Sequence, residues 1–118
     1  MNESISLDMA ELHGRLPSIA IQIPRFIDEH QPGLVECVLL DANGVTHRFV
    51  EKAPVVSRLN LHSGSAYPCP GALGCELESE WKDDAGRSLV RVNTERPWHI
   101  ESTGGETRFV ILESQLVR

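Results

Sequence analysis

With 118 residues, 41% of them apolar and 24% charged, the chain is long enough to bury one core and too short to divide comfortably, so it is read as a single domain over residues 1–118. Seventeen acidic against eleven basic side chains leave a net charge of −6, with Lys52 and Lys82 the only lysines, and this argues against nucleic acid as a partner because phosphate is repelled on average. The start MNESISLDMAELHG lacks the basic opening and apolar run of a secretory signal, no membrane-spanning run occurs, and three cysteines make no disulfide framework; together these predict a cytoplasmic protein away from membranes.

In chain order, Ile5, Met9, Leu12 and Leu16 follow helical spacing, Asp8 and Glu11 resemble a capping pair and Gly14 supplies a stop, which predicts a short N-terminal helix. Alternation then takes over. Ile19, Ile21 and Ile23 fall on one face of a strand, with Ala20 and Gln22 on the other, and Pro24 predicts an edge or a bulge because it has no N–H to donate.

Asn43-Gly44 is a strong hairpin signal, and a two-residue loop there pairs Leu40 with His47, Val38 with Phe49 and Glu36 with Glu51. That last like-charge pair costs energy unless the ladder ends, bulges or holds a cation there. An extended segment is expected at residues 55–61. The run YPCPGALGCELESEW then predicts a crossover loop that includes Cys69, followed by a strand that begins near Leu73 and carries Cys75.

Four residues, 83–86, form the next predicted turn, which places Leu73, Cys75, Leu77, Val90 and Val92 on the inner face and Glu76, Glu78, Glu80 and Arg91 on the outer one. The pair Gly104-Gly105 predicts a last hairpin that joins Trp98 to Ile111, Ile100 to Phe109 and Glu101 to Arg108. The sum is an all-β, mainly antiparallel domain: a small β-barrel of about six to seven strands with a short N-terminal helix, or alternatively a two-sheet β-sandwich.

Chemistry is harder to find. Cys69-x5-Cys75 is looser than usual zinc spacing and no second pair follows, leaving His62 and Cys69 as weak metal candidates, and no metal or cofactor is expected. No G-x-S-x-G elbow, P-loop lysine or other catalytic signature is present, so no catalytic residue is assigned.

The runs HQPGLVECVLLDANGVTHRFVEKAPVV, SAYPCPGALGCE and IESTGGETRFVIL resemble a group of small bacterial proteins of uncharacterised function. The resemblance covers most of the chain from about Phe26 and implies a bacterial cytoplasmic setting, with no activity, cofactor or site residue attached. The leading expectation is a non-enzymatic protein that binds a partner protein, basic in character, through Glu76, Glu78 and Glu80 with the loops around Tyr67 and Trp98. The alternative is a small metal-dependent or acid/base enzyme, or a small-ligand binder, using His47 with Glu36 and Glu51. Oligomeric state is left open.

Overall fold

The computed structural model describes residues 17–29 and 32–118. The helix expected around Ile5, Met9, Leu12 and Leu16 lies outside the described residues. The strands are β1 (Ser18–Asp28), β2 (Leu34–Leu40), β3 (Thr46–Lys52), β4 (Cys69–Gly74), β5 (Glu76–Lys82), β6 (Ser88–Asn93), β7 (Arg108–Leu112) and β8 (Leu116–Val117). A single turn of helix, α1 (Ala53–Val56), follows β3.

All strand pairings are antiparallel, in two sheets: β3-β2-β1-β4, with β8 also on β1, and β5-β6-β7. The chain passes from the first sheet to the second at Cys75, whose N–H donates to the Pro17 carbonyl at 2.9 Å. It returns through a short 3₁₀ turn at Glu113–Gln115. On the opposite side the Ala42 N–H donates to Val110 O and the Thr103 N–H to Arg48 O, at 2.9 and 2.7 Å. Among the described residues the ladders form two sheets and do not join into a closed ring.

One core lies between the sheets. Ile19, Ile21 and Ile23 bury their side chains with Val35, Cys37 and Phe49 from the first sheet and Val90, Val92, Phe109 and Ile111 from the second. The isoleucine alternation therefore predicts the inner face of β1 correctly. The edge position does not hold: β1 is central, flanked by β2 and β4. Pro24 sits where the β1–β2 register shifts, between Gln22↔Val38 and Arg25↔Glu36, and just beyond Ile23, the last residue paired with β4. A bulge spares the ladder a missing N–H, so proline is tolerated inside the sheet.

Both hairpins expected at Asp-containing turns are displaced by one residue, for one physical reason. Asp41 Oδ1 accepts from the N–H groups of Asn43 and Val45, and Asp83 Oδ1 accepts from those of Ala85 and Arg87. Each aspartate closes a three-residue loop, with Gly44 at φ 82° and Gly86 at φ 85°. Ser102 repeats the device, its Oγ accepting from Gly104 and Glu106 with Gly105 at φ 83°. A type I turn followed by a left-handed residue makes such a loop, and glycine adopts that conformation without the Cβ penalty. The common pattern is Asp or Ser three positions before Gly. A Cβ at Gly44 meets nothing within 4 Å, so the cost of Gly44→Ala is backbone alone, about 1–2 kcal/mol. Urea denaturation should show that loss, and an unchanged midpoint would mean the loop does not depend on the left-handed residue.

Three further expectations are corrected. Residues 55–61 are not a strand, because Pro54 starts the α1 turn and the chain continues irregularly after Ser57. Cys69 belongs to β4 and is buried, where the sequence places a crossover loop. The hairpin drawn between Trp98 and Ile111 is also replaced: β7 pairs with β6, through Val90↔Ile111 and Val92↔Phe109. Residues 94–107 make a long connection pinned at its base by Thr94, which is fully buried. Its Oγ1 donates to Ile100 O at 2.6 Å, its N–H donates to Thr107 O, and its carbonyl accepts from Ile100 N–H.

Candidate functional site

The corrected β2–β3 register removes the Glu36–Glu51 opposition: Glu36 faces Val50, and Glu51 faces Val35. Because paired residues share a face and adjacent residues along a strand do not, Glu36 turns outward while His47, Phe49 and Glu51 turn inward. The structure does not bring Glu36 together with His47 and Glu51. Glu36 instead lies between Arg25 and Arg48. The Arg25 guanidinium, outweighing the cost of burial, and that of Arg48 hold its carboxyl below the ordinary glutamate value. Glu51 is half-buried, and burial pushes its carboxyl up, with only Lys52 acting the other way.

His47 joins a different pair of carboxylates. Its Nε2 lies 2.8 Å from Asp41 Oδ2 and its Nδ1 3.2 Å from Glu106 Oε1, while its ring meets Phe109 edge-on at 4.9 Å. An ionised carboxylate only accepts, so the ring serves both partners at once only when both nitrogens carry protons. Burial alone would raise Asp41, but the hydrogen bonds from His47, Val45 and Asn43 outweigh it and hold the carboxyl below its ordinary value. Ser102 Oγ reaches the same Glu106 Oε1 at 3.5 Å, and neither nitrogen of the imidazole hydrogen-bonds to it. A nucleophilic serine needs its base adjacent. The cluster therefore ties the Asp41 turn to the Ser102 turn, and its geometry is that of a latch.

A bulge between Leu77 and Ser79 also breaks the acidic row. Below it, Leu77 pairs with Val92; above it, Glu80 pairs with the core residue Val90 and Trp81 with Leu89. Trp81 thus turns to the outer side, its ring 5.9 Å from the Arg91 guanidinium carbon. Glu78 accepts from Asn93 and Arg108, which in that order hold its carboxyl below the ordinary value, and Glu80 accepts from Arg118 at 3.1 Å. Glu76 is exposed. Tyr67, half-buried, donates to the His62 carbonyl at 2.6 Å.

Cys37, Cys69 and Cys75 are free and buried, and burial pushes the Cys37 and Cys75 thiols up to about 12, the behaviour of inert core thiols. His62 is exposed and its Nδ1 accepts from Gly64 N–H, whereas Cys69 is buried. Among the described residues no three His, Cys, Asp or Glu side chains are grouped to hold a metal ion.

One concavity draws on residues that no sequence motif marks. A groove of about 600 Å³ runs between residues 54–59 and the outer side of β4, with Pro70, Gly71, Ala72, Gly74 and Ser18 along one wall. Trp98 closes one end and is itself 58% exposed. Glycines set this shape. A Cβ on Gly74 would lie 2.9 Å from Trp98 Cδ1, and one on Gly71 would lie 2.7 Å from Ile23 Cδ1 and 3.0 Å from Val56 O. The indole thus lies over bare backbone, and α1 approaches β4 closely. His99, at φ 53°, turns the chain next to Trp98. Of the residues expected at a binding surface, Trp98 alone lines the groove.

Comparison with protein-family models, with curated proteins and with solved structures gives no match. Among the described residues no helix is long and apolar enough to cross a membrane.

Proposed function

We propose that the protein is a non-enzymatic binding domain that takes the apolar part of a small ligand into the groove beside Trp98. The observation that carries this reading is the exposed indole closing an apolar groove of about 600 Å³, within the size range that holds small ligands. An exposed tryptophan on glycine backbone offers a rigid, flat contact that binding can cover. The corner at Cys75 and the hydrogen bonds at Ala42 and Thr103 support treating the two sheets as one partly open barrel, with the groove on its outer wall. A basic protein partner at the acidic strand has less support, since Glu78 and Glu80 already hold Arg108 and Arg118.

The test uses N-phenyl-1-naphthylamine, a neutral apolar dye whose emission rises on leaving water. Binding to the wild type is expected to weaken about tenfold or more in Trp98→Ala and in Ala72→Phe, which fills the groove. Dye binding unchanged in both folded variants would remove the groove from the account.

A further inference from the structure

Arg58 is the one charged side chain among the described residues that line the groove. It stands in the loop after α1, and it makes no hydrogen bond or ion pair among the described residues. That sets it apart from most arginines here. Arg25 and Arg48 share Glu36, Arg87 holds Asp83, Arg108 holds Glu78 and Arg118 holds Glu80. In a chain of net charge −6, carboxylates outnumber the cations available to them, yet this guanidinium is left without one at the mouth of the apolar groove.

From this placement we infer that the groove takes an amphipathic organic anion: a small carboxylate whose apolar body lies along Pro70, Ala72 and Trp98 while its head group meets Arg58. The inference rests on the groove being the binding site proposed above and adds the charge of the ligand. Guanidinium is a planar fork that matches a carboxylate with two parallel N–H donors. The apolar wall beside it lowers the local dielectric and strengthens that pairing relative to open solvent. The hydroxyl of Ser57, adjacent to Arg58 in the chain and also on the groove lining, adds a neutral donor beside the cation. An anion thus finds its complement here, whereas a cationic head group would meet Arg58 with like charge.

The inference is tested on the full chain carrying Trp81→Phe, which leaves Trp98 as the only tryptophan and lies on β5, away from the groove. Three probes share one apolar body and differ in head group: dodecanoate, dodecan-1-ol and dodecyltrimethylammonium, the two ions titrated below their micelle concentrations and the alcohol below its solubility limit, against Trp98 emission. Dodecanoate is expected to bind about tenfold or more tightly than dodecanol. Added salt should narrow that gap, because the pair lies near the surface. Arg58→Gln should bring dodecanoate down to the dodecanol level, Arg58→Lys should restore part of the difference, and Arg58→Glu should favour the ammonium probe. Equal affinity for dodecanoate and dodecanol in the wild-type groove, or an unaltered preference in Arg58→Gln, overturns the anionic ligand while leaving a neutral apolar one. Absence of binding by all three probes overturns the groove itself, and the inference falls with it.

Discussion

Asp41→Ala is expected to lower the unfolding free energy by about 3 kcal/mol, the scale of losing charge-assisted hydrogen bonds around a buried group. One carboxylate does two jobs here. Its Oδ1 closes the turn through the N–H groups of Asn43 and Val45, and its Oδ2 meets His47 Nε2. The turn amides can find water after truncation. The imidazole, 9% exposed and packed on Phe109, cannot readily do so. Asp41→Asn separates the jobs, because its amide oxygen can still close the turn while its amide nitrogen can only donate to His47. The asparagine variant should therefore recover part of the loss.

The pH profile gives the sign. Asp41 is held below the ordinary value of 3.8 in the folded protein, so the unfolded chain binds the proton first as pH falls. The stability it contributes is fully present above 3.8 and is lost as pH drops through the depressed folded value. Urea denaturation at a series of pH values should show a shallower acid loss in Asp41→Asn than in the wild type. Parallel acid limbs in the two proteins would show that Asp41 is not the titrating group.

These loops also explain how far the sequence could be read. Alternation at Ile19, Ile21 and Ile23 and at Val90 and Val92 marked buried faces correctly, since burial on one side of a strand writes itself directly into the residue pattern. Register failed wherever a side chain, and not the backbone alone, determined the loop. At the first turn, Asn43-Gly44 suggested a two-residue turn, but Asp41 captures two amides and enlarges the loop by one residue. That single step moved Glu36 to the outer face and dissolved a candidate site. The bulge after Leu77 turned Glu80 from the outer row to the face of Val90, and no residue type announces it. The signal that was available is the repeated Asp or Ser three positions before Gly, at Asp41, Asp83 and Ser102.

The groove was less legible still, because it joins segments far apart in the chain. Trp98 comes from the 94–107 connection, Arg58 from the loop after α1, and the small residues from β4. Pro70, Gly71, Ala72 and Gly74 read locally as turn or breaker residues. In the fold their smallness is what lets α1 and Trp98 come close, with backbone for a floor. Only the tertiary arrangement gives these residues that meaning.

The same dependence on distant segments makes Thr94 a sharp test. Thr94→Val keeps the shape of a fully buried side chain and deletes the hydroxyl that donates to Ile100 O at 2.6 Å. Ile100 is itself 1% exposed, so its carbonyl loses a donor with little water to replace it, at a cost of about 1–3 kcal/mol. Thr94 N–H still reaches Thr107 O, which should leave the β6–β7 ladder paired and confine the loosening to residues 94–107. Trp98 lies in that span, so dye binding at the groove should weaken together with stability. Thr94→Ser keeps the hydroxyl and gives up only a methyl group, and should retain binding while losing some stability through packing. If Thr94→Val proves as stable as the wild type, the hydroxyl does not hold the connection. If it is destabilised yet binds the dye as before, the position of Trp98 is set by its packing on Gly74 and not by the anchor at Thr94.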